Sequence, residues 1–334
     1  MTLRIGALGL GRIVEHGHLP SYATAGLTVT AGADLEAAAV ERFRASHPQA
    51  LATTSVDELI ASDLVDVLDI ATPPGSHAQL IRAAVDAGKP VLCQKPLALT
   101  LSEARDVVSH AESRGVPLAV NHNLRFMPAN QAVKQWLVEE RIGQPHSISI
   151  RYHTSLDYGP WRAKLDHLVV AEVMVHHLDL TRWWCGRPDT VFAVETHAAD
   201  SPDGASTIGG LLATYRSGLV VNLQCDLVNP GDPPSLNVRI DGSAGSIRAD
   251  GRTARLYRSG EPPTWTETVP NPTGEWRQGI GFMPAFAACM ASFIESVESG
   301  VEAQTSARDN LLTLEMVSAT EESIRTGAAV QLAA

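Results

Sequence analysis

Cysteine is scarce in this 334-residue chain: Cys93, Cys185, Cys225 and Cys289 are scattered, and no two share a CxxC spacing. That scatter argues against a disulfide framework and fits reduced thiols in a cytoplasm. No uninterrupted apolar run approaches the ~20 residues that cross a bilayer. Residues Met1 to Leu8 read as a strand rather than a basic leader with an apolar segment behind it. Cationic charge is also short, with 26 Lys plus Arg against 37 Asp plus Glu and a formal charge of −11. Phosphate polymers and anionic membranes need a cationic surface, so neither nucleic acid nor membrane is expected as a partner. What the chain does have is 44% hydrophobic and 19% charged residues, enough for a sizeable core. Its length suggests roughly two domains of ~150 residues. A cytoplasmic, globular protein is expected.

The first third alternates strand-like runs (Leu3–Leu8, Leu27–Ala33, Val65–Ile70, Pro90–Cys93, Val116–Val120) with helical patterns (Ile13–Ala25, Glu36–Ser46, His77–Ala87, Ser102–Arg114). Such alternation with short connections predicts a parallel sheet covered by helices on both faces. Ser102 and Gly115 bracket the last of these helices as cap residues. Near Asn121 the rhythm changes. Helices at Pro128–Glu140 and Val170–Trp184 are followed by consecutive strand-like runs between 191 and 249, joined by turn-forming residues that suit an antiparallel or mixed sheet. Two long helices, Phe282–Ser299 and Ala307–Thr326, close the chain. The expected division is 1–121 and 122–334.

Gly9-Leu-Gly11-Arg12-Ile13 follows the first strand and opens the first helix. A glycine pair there lets backbone amides approach a pyrophosphate at the helix N-terminus. The third position of the nucleotide fingerprint is Val14, so the motif is incomplete. Asp34 ends the second strand, where a carboxylate accepts both ribose hydroxyls of NAD and disfavours a 2′-phosphate. Leu35 follows rather than a basic residue, although Arg12, Arg42 and Arg44 leave NADP open. The competing role for Asp34 is an N-cap on the next helix.

Three segments carry a more specific resemblance: Ala71-Thr-Pro-Pro-Gly-Ser-His77, Ala87-Gly-Lys-Pro-Val-Leu-Cys-Gln-Lys-Pro96 and Glu172-Val-Met-Val-His-His-Leu-Asp179. Together with the Thr305–Asn310 stretch they resemble the glucose–fructose oxidoreductase, inositol dehydrogenase and rhizopine-catabolism (Gfo/Idh/MocA) family over essentially the whole chain. The resemblance implies an α/β N-terminal Rossmann domain and an α+β C-terminal domain with a large, mostly antiparallel open-faced sheet. It implies an NAD(P)-dependent enzyme acting on sugars, cyclitols or their derivatives, assembled as a homodimer or homotetramer. It places Thr72, Pro73, His77, Gln94 and Lys95 beside the cofactor. Gln94 stands where the family has Glu, a neutral amide that no longer offsets the charge of Lys95. Glu172 and His176 take the places of a helical Asp and His.

Read from the residues themselves, Glu172, His176 and Asp179 fall at i, i+4 and i+7 of one helix, giving His176 a carboxylate on each side. Such partners fix a tautomer and raise the basicity of the opposite nitrogen. Alcohol oxidation with NAD needs a proton acceptor on the hydroxyl, assigned to His176, and a group that stabilises the developing charge, assigned to Lys95. Which of the two receives the proton is open at this level. A core histidine and a solvated lysine are the bland alternatives. The helical spacing of Glu172, His176 and Asp179 is compatible with metal, but no further Cys/His cluster completes a shell, so no metal is expected. Substrate contacts are expected from His122, Asn123 and Arg125 after the fifth strand, from Trp161 and Arg162, and from His177, which is alternatively a packed imidazole. Arg125 or Arg162 could grip a sugar acid. Two other readings remain: a glycosidase that uses NAD transiently in an oxidation–elimination–reduction cycle, and a non-catalytic nucleotide-binding regulator.

Overall fold

Strands β1 (Ile5–Leu8), β2 (Val29–Ala33), β3 (Leu51–Thr53), β4 (Val67–Ile70), β5 (Val91–Cys93) and β6 (Leu118–Val120) form one sheet in the order β3-β2-β1-β4-β5-β6. Every pairing in it is parallel. This computed structural model describes residues 3–155, 162, 165–199, 201, 205–228, 235–266 and 283–332. Helices α1 (Leu19–Thr24), α2 (Ala37–Ser46), α3 (Val56–Ala61), α4 (His77–Asp86) and α5 (Leu101–Arg114) are the crossovers, and a π turn at Val14–His18 leads into α1. Burial on both faces explains the near-continuous apolar runs of β1, β4 and β5, whose residues are all buried. The chain winds from β1 outward to β3, then returns to β4 on the other side. That reversal opens a crevice at the carboxyl ends of β1 and β4.

Two short elements escape a periodicity reading: β3 has three half-buried residues, and α3 is held by Ser55, whose side chain accepts from the Glu58 amide. The start of α5 also differs from expectation. Thr100, not Ser102, is the cap: its Oγ1 accepts from Glu103 N–H (3.2 Å), while Glu103 Oε2 accepts from Leu99 N–H (3.2 Å). This reciprocal pair satisfies amides that a helix start leaves without partners. Gly115 ends the helix at φ 65°, as expected.

The chain divides into two compact units, the first including Met1–Asn123 and Met283–Leu311, the second Leu124–Pro270 and Leu312–Ala334. Helix α6 (Pro128–Val138) opens the second unit, and β7 (Pro145–His153), α7 (Val175–Cys185), β8 (Thr190–Thr196), β9 (Ile208–Thr214) and β10 (Val220–Asp226) follow. After them come β11 (Ser235–Gly242), β12 (Gly245–Ala249), β13 (Ala254–Tyr257) and β14 (Thr264–Trp265). Helices α8 (Met283–Ser299) and α9 (Ala307–Thr326) precede the last strand, β15 (Val330–Gln331). The second sheet runs β14-β13-β12-β11-β7-β10-β9-β8-β15, and only the β7–β10 pair is parallel. Alternation puts Ile148, Ile150, Val221, Leu223, Val238 and Ile240 on its buried face. The opposite face carries exposed Phe192, Val194, Leu212 and Val220. Gly209 sits on the buried side, where an added Cβ would lie 2.7 Å from Met174 Sδ, so the helix can approach β9 only over a glycine. The expected uniform helix at 170–184 is a π turn over Val170–Met174 running into α7. The α-helical i, i+4 relation therefore does not hold between Glu172 and His176.

Candidate active site

In the first unit the predicted nucleotide residues gather at the carboxyl edge of the parallel sheet. Gly9 leaves β1 at φ +90°, and a Cβ there would meet Ala71 C and O at 2.8 Å and Thr72 N at 2.9 Å. Only glycine satisfies both the backbone angle and that approach. A Cβ on Gly11 would point into open space, with nothing within 4 Å. Gly11 O accepts from the amides of Val14 and Glu15 (both 3.0 Å), so the helix starts at the turn itself. Val14, the departure from the fingerprint, is fully buried in a cluster with Ala7, Leu10, Ala39, Val40, Phe43 and Ala71. An open glycine turn at a helix N-terminus is the cradle a pyrophosphate needs.

Asp34 braces this turn. Leu10 N–H donates to its Oδ2 (2.7 Å) and Glu36 N–H to its Oδ1 (2.9 Å). Glu36, not Asp34, is the N-cap residue of α2, so the capping role is replaced by a turn formed by Asp34 with its own second neighbour. Arg42 pairs with Glu15 (3.3 Å) and Arg44 with Glu41 at the surface. Arg12 is exposed and Ile13 half-buried at the helix start. Thr72 is half-buried and Pro73 exposed at the end of β4.

His77 is corrected from a cofactor contact to a brace. It is fully buried, with Nδ1 2.8 Å from Pro96 O and Nε2 2.8 Å from Thr72 O, and burial pushes its imidazole below the ordinary value. It ties the loop after β4 to the loop after β5, which carries half-buried Gln94 and Lys95.

Sequence reasoning missed a buried polar chain beneath Gln94. Gln94 Nε2 lies 2.7 Å from His18 Nε2, and His18 Nδ1 lies 2.7 Å from Asp69 Oδ2. Tyr22 O–H donates to the same Asp69 oxygen (2.8 Å). The signal was an aspartate inside the otherwise apolar run of β4, since a charge there demands partners. Asn121, which opens the Asn121–Arg125 segment expected to contact substrate, is buried at the end of β6, and its side-chain amide has no partner among the described residues.

In the second unit both carboxylates expected to flank His176 face arginines. Arg125 donates through Nε to Asp179 Oδ2 (2.7 Å) and through Nη2 to Oδ1 (2.5 Å), with both side chains almost fully buried. Thr313 O–H also donates to Asp179 Oδ1 (2.9 Å). Arg125 is therefore corrected from substrate contact to buried ion-pair partner. Glu172 accepts from Arg162 Nε (3.0 Å), so Arg162 too has its carboxylate inside the protein. His176 is half-buried, and its Nδ1 is shut away from solvent.

His177 is corrected to a packed imidazole. It is buried against the Tyr152 ring (5.4 Å between centroids), and burial pulls its pKa down to about 4. The ring stays neutral in the fold, so its contribution is complete above pH ~6.5, its unfolded value, and is lost as pH falls toward 4. That loss amounts to about 3 kcal/mol. Denaturant titrations of wild type and His177→Phe should diverge in slope across that window; parallel curves would refute the assignment.

His122 is likewise corrected: it is buried in the first unit with Asn310 Nδ2 2.6 Å from its Nε2. Asn123 is buried too, and its Nδ2 has no partner among the described residues. Trp161 lies outside the described residues.

Residues 3–122 match the oxidoreductase family with an NAD-binding Rossmann fold, and residues 130–248 match the GFO/IDH/MocA C-terminal domain. The chain is 33% identical over 284 residues to D-apiose dehydrogenase of Paraburkholderia graminis, covering 82% of this chain and 75% of that protein. It is 25% identical over 334 residues to inositol 2-dehydrogenase of Rhizobium meliloti, 97% of each chain. A crystal structure of an oxidoreductase from Agrobacterium radiobacter in complex with NAD+, L-tartaric acid and magnesium superposes with a TM-score of 0.90 at 23% identity, over 99% of this chain and 98% of that one.

Proposed function

The chain belongs to the Gfo/Idh/MocA family of NAD-binding oxidoreductases, and from that premise we propose that it is a dehydrogenase exchanging hydride between NAD and a ring hydroxyl of a neutral sugar or cyclitol. The observation that carries the cofactor half is the open glycine turn, with Gly9 at a φ only glycine adopts freely and Gly11 uncrowded. The preference for a neutral substrate over a sugar acid rests on Arg125 and Arg162, which already face carboxylates of the protein.

Bound NAD supplies the carbon that accepts hydride. Within residues 1–121, Gly9, Gly11, Arg12 and Ile13 would hold the pyrophosphate, Asp34 the adenosine ribose, and Thr72, Pro73, Gln94 and Lys95 the nicotinamide half. Within residues 122–334, His176 Nε2 would take the hydroxyl proton and Glu172, steadied by Arg162, would orient it. Lys95 Nζ would donate to the substrate oxygen and stabilise its developing negative charge. The elimination cycle and the non-catalytic regulator draw no support from relatives named as dehydrogenases.

The direct test is a panel of aldoses, inositols and sugar acids, followed by the near-ultraviolet absorbance of NADH. A neutral sugar or cyclitol should give one NADH per product. A sugar acid as best substrate, or turnover without net NADH, would overturn the proposal. Asp34→Ala should weaken NAD by about tenfold and narrow its preference over NADP, because it removes the acceptor that the ribose diol needs and the brace on the Leu10 amide. An unchanged NAD/NADP ratio would leave Asp34 a purely structural residue.

We place the protein in the cytoplasm, on the strength of four free cysteines, three of them buried. Among the described residues no helix is long and apolar enough to cross a membrane. We also propose a homodimer or homotetramer joined through the open face of the second sheet. Phe192 pairs across strands with Leu212, and Val194 and Val220 flank them, an exposed apolar strip beside a polar half that a second copy can complement. Sedimentation equilibrium should return two or four copies per particle, and Leu212→Glu should dissociate them; a wild-type monomer would refute this.

A further inference from the structure

We propose that Gln94 is a positioning residue, locked amide-nitrogen inward by the buried Tyr22–Asp69–His18 chain, so that its carbonyl oxygen is the edge left to receive a hydrogen bond from the nicotinamide carboxamide. The proposal rests on the NAD-dependent reading above. The direction of every hydrogen follows from the donors available. Burial and the neighbouring Asp69 carboxylate push the Tyr22 phenol well above its ordinary value, so Tyr22 donates and never accepts a proton from this group. Asp69 Oδ2 receives Tyr22 O–H at 2.8 Å and faces His18 Nδ1 at 2.7 Å, so Nδ1 carries a hydrogen. Gln94 Nε2 has only hydrogens to offer, and it lies 2.7 Å from His18 Nε2, which must therefore present a lone pair. His18 is then neutral and in its Nδ1–H form.

The inner members of the lock are shut away from water. His18 and Asp69 are completely buried, and the Phe286 ring of α8 lies 4.7 Å from the His18 ring. Among the described residues, Cys93 from β5 and Cys289 from α8 also act on this chain. Burial and Asp69 push the Cys93 thiol well up, keeping it uncharged, and Cys289 acts on Tyr22 in the same direction as Asp69. Lys95 follows Gln94 directly in the chain. A carboxylate at position 94 would have no N–H to give. The imidazole could bond it only by taking a second proton, and the outward acceptor would become a charge.

Nitrogen-15 spectra of histidine-labelled enzyme without cofactor test the lock directly, with His18→Gln used to assign the resonance. The expected wild-type signature at neutral pH is a protonated Nδ1 and an unprotonated Nε2. Gln94→Glu should convert His18 to the doubly protonated form. Wild-type His18 that is already an imidazolium, or protonated at Nε2, overturns the proposal without any reference to activity. Calorimetric titration with NAD+ supplies the second readout: Gln94→Leu, which removes the outward acceptor, should weaken binding by about tenfold, the loss of one hydrogen bond. Unchanged affinity in Gln94→Leu would also overturn the proposal. A wild-type protein that binds no NAD+ would instead sink the functional reading, with the spectra still judging the lock.

Discussion

Lys95→Ala is expected to lower turnover by about a thousandfold or more while the dissociation constant for NAD+ stays within a few-fold of wild type. Loss of a preorganised donor aimed at developing oxyanion charge costs ~10²–10³ in rate, and loss of a group that shares proton transfer adds to it. The residue is well placed to be preorganised. Gln94 on one side is bonded to His18, and Pro96 on the other lends its carbonyl to His77. Lys95→Met keeps the stem and removes the charge, so it should behave like the alanine variant. Turnover within tenfold of wild type in either variant would remove Lys95 from the chemistry.

Asp179→Ala should be the most destabilising single change in the second unit, by about 3–5 kcal/mol. Asp179 faces two guanidiniums, Arg125 by two hydrogen bonds and Arg182 at 3.6 Å, and it accepts from Thr313 as well. Its removal leaves like charges buried together with their hydration stripped away. A fall in melting temperature of the order of 10 °C follows for a unit of this size. Replacing both partners, as in Arg125→Met with Asp179→Leu, should recover part of the loss because no uncompensated Asp179–Arg125 charge remains. Melting curves for the two singles and the double check this. A loss below 1 kcal/mol in Asp179→Ala would show that the ion pair is dispensable.

The neighbourhood of the candidate site was legible in sequence to the extent that it depended on backbone. Gly9 and Gly11 stood out as a glycine pair between a strand and a helix, of which Gly9 sits at φ +90°, and Asp34 because it ends the next strand of the same sheet. Side-chain partnerships were less legible. The i, i+4, i+7 spacing of Glu172, His176 and Asp179 suggested three cooperating groups, yet Asp179 is bonded to Arg125, fifty-four positions away in the chain. Spacing along a helix reports who shares a flank, but not which residue from another element arrives there first. The same limit hid His18, Tyr22 and Asp69, and it made His122 and His177 look available when both are buried.

Alternating apolar runs and glycine punctuation were by themselves enough to determine a parallel nucleotide-type sheet followed by an antiparallel or mixed one, while the chemistry to look for came from the family resemblance of the Ala71–His77, Ala87–Pro96 and Glu172–Asp179 segments. Those features are local: periodicities of two and 3.6 residues and φ-restricted turns act within a few positions of the chain. Tertiary structure alone decided which charges meet and which polar groups lose water. Arg125 became a buried brace, His77 a tie between loops, and Gln94 the outer end of a hydrogen-bonded chain, because in a low-dielectric interior each such group must find a partner wherever the fold brings one.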